Sequence, residues 1–587
     1  MLRGRFLFTR PILSKRIAMP FLRLVLSVIV FLSAMPAWAQ EGVSLRSIET
    51  RGLYNTPAQG QISGNVWEGL NRNEALLLID SIPPRFTSPT FYRLAQNLLL
   101  SDAPPVPSAP IDKKAKPDAN AEANAAQMDP NRPDILIARL DKLMEIGALR
   151  AAEKLYDTVV GDIPNNFDLA YRSLQILMLR GQLTAACVDV QAMQGMFGAD
   201  PRWQELNRLC RIQFAQGAER AKLLNETKFT AFPSLGKFLR GSGNMGRLSS
   251  LSVEDLAFAV ATNLVGENTM RLMAPKAGQI TPLLLSVLYR QDESPATPEK
   301  ICLAIEGVRR GILDTRELIT LYEAPHYDSD WLVGAVNAPA PVHACMIPTV
   351  LYQRIASNKD NPAKRDAVIR YTLDVLKGMP DAALWPMAVY FKDFDVRAAQ
   401  NKPYLWRVSR VLAYEKGELP GEWAQDWGAR LKDGSVGRGV SPFWLVNAIV
   451  SPSLASEENL EIWRAQWPSE VARIESRDPI LPYILGLIPP GQLQTGDNPK
   501  TKTGNYENKI SLTFSRTYAM PSYGLTQRLA NVIEKGHTGQ SVALLLIGYG
   551  AIPPDQIIPD QMALILEGLN KAGLRKDAQR VALEVLR

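Results

Sequence analysis

Histidine and cysteine are scarce in this chain, which holds three of one and four of the other. His326, His343 and His537 stand apart, and neither H-E-x-x-H nor C-x-x-C occurs, so no metal site is expected. A G-x-S-x-G nucleophile elbow and a G-x-x-x-x-G-K-[ST] phosphate loop are also absent. No catalytic residue and no cofactor is therefore expected. Strand patterns are few; "KISLTFSRTYAM" (Lys509–Met520) is the best candidate for a hairpin arm, and the polar stretch before it reads as a surface loop. Beyond the first 39 residues no apolar run reaches the roughly 20 residues that span a bilayer, and "VALLLIGYGAI" (Val542–Ile552) is too short.

Those first 39 residues contain no acid. They carry Arg3, Arg5, Arg10, Lys15, Arg16 and Arg23, six of the formal +7, which leaves about +1 for the rest of the chain. That is too little for a phosphate-binding surface, so no nucleic-acid partner is expected. The basic residues precede an apolar run from Leu24 to Met35 and a small-x-small site, Ala37-Trp38-Ala39. This is the pattern of an export signal cut between Ala39 and Gln40, and it predicts a periplasmic mature chain with no transmembrane span. Met19 is an alternative start. An uncleaved anchor is the competing reading, against which the run is only about 12 residues long.

Outside the cytoplasm an even number of cysteines favours disulfides. Cys187 and Cys210 straddle the turn signal "FGADP" (Phe197–Pro201) at similar distances, so an antiparallel hairpin turning there sets them opposite each other. Cys302 and Cys345 then pair by elimination; four buried free thiols are the alternative.

With 42 prolines and 39 glycines as punctuation, the chain reads as many short amphipathic helices and an all-α fold. After the signal at 1–39, a short helical segment covers 40–101. A Pro/Ala-rich stretch at 102–133 has almost no large apolar residue, cannot bury enough surface to fold, and is expected to be a disordered tether. Repeats occupy 134–226, less regular helices 227–490, the polar loop with its hairpin 491–525, and helical repeats again 526–587. Within 134–226 the pattern is periodic. Leu136, Leu140 and Leu143 form one stripe, with Arg139, Asp141, Lys142 and Glu145 placed mostly on the other side. After Gly147, a second stripe holds Ala152, Leu155, Tyr156 and Val159. Gly181 follows Gly147 by 34 residues, as Pro164 follows Pro130, and Gly217 comes 36 after Gly181. A glycine permits the tight helix–helix turn and a small alanine permits close approach. Gly573, with Ala578 and Ala582, marks a similar unit at the C-terminal end.

"GALRAAEKLYDTVVGDIPNN" (Gly147–Asn166) resembles the second half of a tetratricopeptide repeat: Gly147, Leu149, Ala152, Tyr156 and Pro164 fall at the turn glycine, the apolar site, the small residue, the aromatic and the closing proline. The resemblance covers about 95 residues, weakens through Gly181 and Gly217, and lacks the first-helix landmarks. It implies a superhelix of stacked antiparallel helix pairs whose surface holds a peptide or another protein's face. The expected function is a non-enzymatic periplasmic scaffold or adaptor, with protein partners in an envelope machine for motility, secretion or wall assembly.

Three features invite other readings. "GSGNMG" (Gly241–Gly246) matches G-x-G-x-x-G, but it follows a helix and reads as a loop. Around it Lys228, Lys237, Arg240 and Arg247 interleave with Phe229, Phe232 and Phe238, a basic-aromatic patch or a solvated loop. Glu475-Ser476, followed by Gly486-Leu487, resembles part of the lytic transglycosylase signature without its Met-Gln. The alternative function is accordingly a cell-wall glycan binder or an enzyme using Glu475.

Overall fold

Helix starts are written into the sequence by capping residues. Asn71 accepts from the Glu74 backbone while the Glu74 carboxylate accepts from Asn71 N–H, a reciprocal box that opens α1 (Arg72–Ser81). Ser88 and Pro89 open α2 (Pro89–Leu100). Similar chemistry recurs along the computed structural model, which describes residues 48–62, 66–106, 133–162, 166–241, 248, 250–291, 296–327, 343–423, 441–450, 465 and 521–586. Among these the fold is all-α, a series of packed helices with no strand. A single bridge joins Tyr54 and Ser101.

The repeat region forms α3 (Asp134–Glu145), α4 (Leu149–Asp157), α5 (Phe167–Leu179), α6 (Leu183–Ala192), α7 (Pro201–Phe214) and α8 (Gly217–Glu226). Then come α9 (Pro233–Leu239), α10 (Val253–Ala261), α11 (Glu267–Met273), α12 (Pro282–Gln291), α13 (Pro298–Arg309), α14 (Thr315–Glu323), α15 (Ile347–Ser357), α16 (Pro362–Val375), α17 (Leu405–Lys416) and α18 (Ser441–Val450). The C-terminal group is α19 (Tyr523–Glu534), α20 (Thr538–Tyr549), α21 (Pro559–Lys571) and α22 (Arg575–Val585). Sequential helices pack on one another as antiparallel pairs do: α3 on α4, α5 on α6, α19 on α20, α21 on α22.

One turn joins several of these pairs. At Gly147 (φ +79°) the backbone enters the left-handed region, Gly147 N–H donates to Met144 O (2.9 Å) and Ala148 N–H to Leu143 O (2.8 Å). These two reversed bonds satisfy the last carbonyls of α3. Gly181 and Gly573 repeat the arrangement, and so do Gly311, Gly536 and a non-glycine, Asn263 (φ +57°). Gly217 sits at the α7–α8 junction with a different geometry. It is left-handed (φ +53°), but it is the first residue of α8, two positions after α7 has already closed at Ala215, and it makes neither reversed bond.

Both cysteine pairs lie at disulfide distance. Cys187 on α6 and Cys210 on α7 have Cα atoms 5.6 Å apart, and Cys302 on α13 and Cys345 have theirs 5.3 Å apart.

The described part of the N-terminal segment, residues 48–62 and 66–106, packs against the repeat helices. Arg139 and Lys142 on α3, which the pattern sets mostly off the apolar stripe, are buried. The Arg139 guanidinium donates to Leu99 O (2.6 Å), Arg51 O (2.8 Å), Glu49 O (3.1 Å) and Ser101 O (3.1 Å). Burial pushes its pKa down to about 10, so it stays charged near neutrality. Lys142 Nζ donates to Asp80 O (2.8 Å) and Ile82 O (2.9 Å), closing the C-terminal end of α1. The far end of the chain meets the same helices. Glu584 of α22 accepts from Thr90 Oγ1 (2.6 Å), Thr90 N (3.3 Å) and Tyr414 Oη (3.1 Å), and Arg93 of α2 pairs with Asp577. So α1 and α2 sit between the first repeats and the last ones.

Several sequence readings lie outside the described residues: the signal with Ala39 and Gln40, most of the tether, Pro164, the Ser242–Gly246 part of the glycine-rich motif, Glu475 and Ser476, and the hairpin arm Lys509–Met520.

Candidate functional site

The turns described above do more than join helices, because four of them wall one furrow. Its first cleft, about 1010 Å³, lies between the α3–α4 turn (Gly147, Ala148), the start of α2, the α13–α14 turn (Gly311–Asp314) and the end of α17. The second, about 1030 Å³, is bounded by the α5–α6 turn (Gly181, Gln182), the α10–α11 turn (Asn263–Gly266) and the end of α12. Arg150, Arg290 and Glu317 belong to both, and an Arg150–Glu317 ion pair (3.3 Å) marks the boundary. The first turns of α4 and α6 open here, and neither Ala148 nor Gln182 supplies a side-chain cap.

Burial tunes the groups along the furrow. It lowers the pKa of Arg290, and the neighbouring Arg150 charge lowers it further; Arg180 is shifted the same way for the same two reasons. Burial raises Tyr289 to about 12. Glu415, accepting from Thr315 Oγ1 (3.0 Å), is pushed up to about 7 by burial, against the opposing effect of that hydrogen bond. Tyr352 donates to Glu323 (2.8 Å), and burial followed by that carboxylate holds its hydroxyl protonated. Aromatic surface is present too: Trp385 stacks on Tyr414 with centroids 4.6 Å apart. The furrow thus offers charges of both signs, hydroxyls and apolar surface along one track, which suits binding an extended polar chain.

The sequence singled out the turn glycines Gly147 and Gly181, and the structure brings both to the furrow. Gly573 and Gly217 lie elsewhere. Of the basic-aromatic patch, Phe232 goes into the core, stacking on Tyr171 at 5.7 Å and meeting Phe258 at 4.9 Å, while Phe229 and Phe238 are half-buried and Lys228, Lys237 and Arg240 are exposed. Its loop is pinned by Glu205, which accepts from the backbone N–H groups of Thr230, Ala231 and Phe232. The histidines have separate positions. His343 Nδ1 accepts from Cys345 N (3.3 Å), His537 Nδ1 lies 3.1 Å from Glu68 O, and His326 is exposed. Among the described residues no three potential ligands gather for a metal ion, and no helix is long and apolar enough to cross a membrane.

Arg150, Arg290, Glu317 and Glu415 were not singled out from the sequence. One local signal existed: Arg150 and Lys154 fall three and seven residues after a turn glycine, on the first turns of the helix it launches. No protein-family model, characterised protein or solved structure matches this chain at a significant level.

Proposed function

We propose that this protein is a non-enzymatic scaffold or adaptor, exported to the periplasm, that holds protein partners of an envelope machine through its helical-repeat surface. The furrow carries this reading: two adjoining clefts of about 1010 and 1030 Å³, walled by repeat turns and lined by charged, hydroxylic and apolar groups together. Export is supported by the signal-like first 39 residues and by two cysteine pairs at disulfide distance. The shared left-handed turns and the 34-residue spacing of Gly147 and Gly181 support a tetratricopeptide-like origin for the helix pairs.

In-cell crosslinking of the tagged protein, followed by identification of what co-purifies from the envelope, tests this. A reproducible set of proteins from one machine is the expected result. Glycan fragments with no protein would overturn it and direct attention to Glu475, where Glu475→Gln would then abolish activity.

A further inference from the structure

The furrow concentrates charge that the chain as a whole does not carry. Among the described residues, nine lysines and arginines line its two clefts against five carboxylates, with Arg93 and Arg180 held by Asp577 and Glu153 outside the lining. Residues 40–587 together carry only about +1. Four of the carboxylates are already engaged: Glu317 with Arg150, Glu323 with Tyr352, Glu415 with Thr315 and Glu267 with Arg271. By contrast Lys154, Arg290, Arg316, Lys416 and Arg580 have no carboxylate in ion-pair reach among the described residues, and Arg290 has only the Ser286 hydroxyl as acceptor at 3.4 Å. Cations with no carboxylate in ion-pair contact, in a cleft with low-dielectric walls, focus a positive field on whatever enters.

We propose that the furrow seats an extended acidic peptide segment of a partner protein, its carboxylates meeting Lys154, Arg290 and Arg316. The proposal rests on the scaffold reading above and adds the partner's chemistry and its place of binding. The interleaved carboxylates choose a peptide over a polyphosphate. A strand charged at every unit would meet Glu317 between Arg150 and Arg290 and Glu415 beside Lys416. A peptide instead bears its acids at intervals and supplies backbone N–H donors to those same carboxylates. The track also runs along the edge where helices turn, so an occupant can lie across successive turns without parting the helix pairs.

The test uses the purified full chain and a fluorescent peptide of about twelve residues rich in Asp and Glu, with a counterpart carrying Asn and Gln at those positions. Anisotropy should show binding of the acidic peptide alone, weakened at least about tenfold between 50 and 500 mM salt. Lys154→Glu with Arg316→Glu should weaken it by about the same factor. Both residues are exposed, on α4 and α14, so this variant keeps the fold, which circular dichroism checks. Lys222→Glu, on α8 outside the furrow, should change nothing. No binding of the acidic peptide, equal binding of its neutral counterpart, or an unaffected double variant each overturns the proposal. The crosslinking experiment separates the two readings. If the double variant recovers the same envelope proteins as the unaltered protein, the furrow assignment falls and the scaffold stands. If the unaltered protein recovers none, the scaffold itself falls.

Discussion

Glu415→Gln isolates one buried charge while keeping an acceptor for Thr315 Oγ1. In the folded chain burial raises the Glu415 carboxyl from 4.5 to about 7. Each pKa unit is worth about 1.4 kcal/mol, so the difference bounds the effect at about 3 kcal/mol. Its sign follows from proton binding. Between roughly pH 4.5 and 7 the folded state holds the proton more tightly than the unfolded state. The contribution of Glu415 is therefore complete below the ordinary carboxylate range and is lost as pH rises through 7. Glutamine has no proton to lose. The variant should match the unaltered protein near pH 4.5 and exceed it at pH 8 by up to about 3 kcal/mol, less whatever residual solvation returns. Denaturant midpoints measured at half-unit steps from pH 4.5 to 8.5 would show the gap opening across that window and levelling above it. A gap that stays constant with pH, or a variant weaker at pH 8, would refute the reasoning that Glu415 is a buried, proton-holding acid.

Two glycine substitutions should differ in cost. Gly147→Ala pays for left-handed backbone and brings a Cβ to 2.6 Å from Pro282 O, whereas Gly573→Ala has the same kind of left-handed φ and open space around it. Melting of the two variants should place Gly573→Ala about 1 kcal/mol below the unaltered protein and Gly147→Ala clearly lower. Replacing Cys187 and Cys210 by alanine removes a cross-link over 23 residues, and denaturation under oxidising conditions should show a loss of about 3 kcal/mol that vanishes in reductant. Glu584→Ala leaves the Thr90 amide, the Thr90 hydroxyl and the Tyr414 hydroxyl without their shared acceptor, at about 1–3 kcal/mol for each buried group. Glu584→Gln keeps that oxygen and should lose far less; equal losses by the two variants would discount the hydrogen bonds.

Helices were legible because their signals are local. The stripe Ala152–Leu155–Tyr156 repeats within two turns, a cap is one side chain long, and a turn glycine needs only its own φ. Gly217 shows the limit of that reading: spacing alone does not tell a glycine that ends one helix from a glycine that begins the next. Arg139 shows another. An arginine on the polar side of a stripe looks solvated unless one knows that four carbonyl oxygens from residues 49–101 surround it, and those come from a segment that pattern cannot dock. The furrow was hidden for a related reason. A chain averaging about +1 gives no sign that Lys154, Arg290, Arg316 and Arg580, which span more than 400 positions, converge on one track.

The bonds from Thr90 to Glu584 and from Arg93 to Asp577 join residues 494 and 484 positions apart. Helix pairs closed by a single left-handed turn form from neighbours and need wait for nothing. Helices α1 and α2 cannot finish that way, since their outer face is completed by α20 and α22. Synthesised early and completed late, they must stay partly uncovered while the array grows, which makes them the stretch most in need of shielding during assembly.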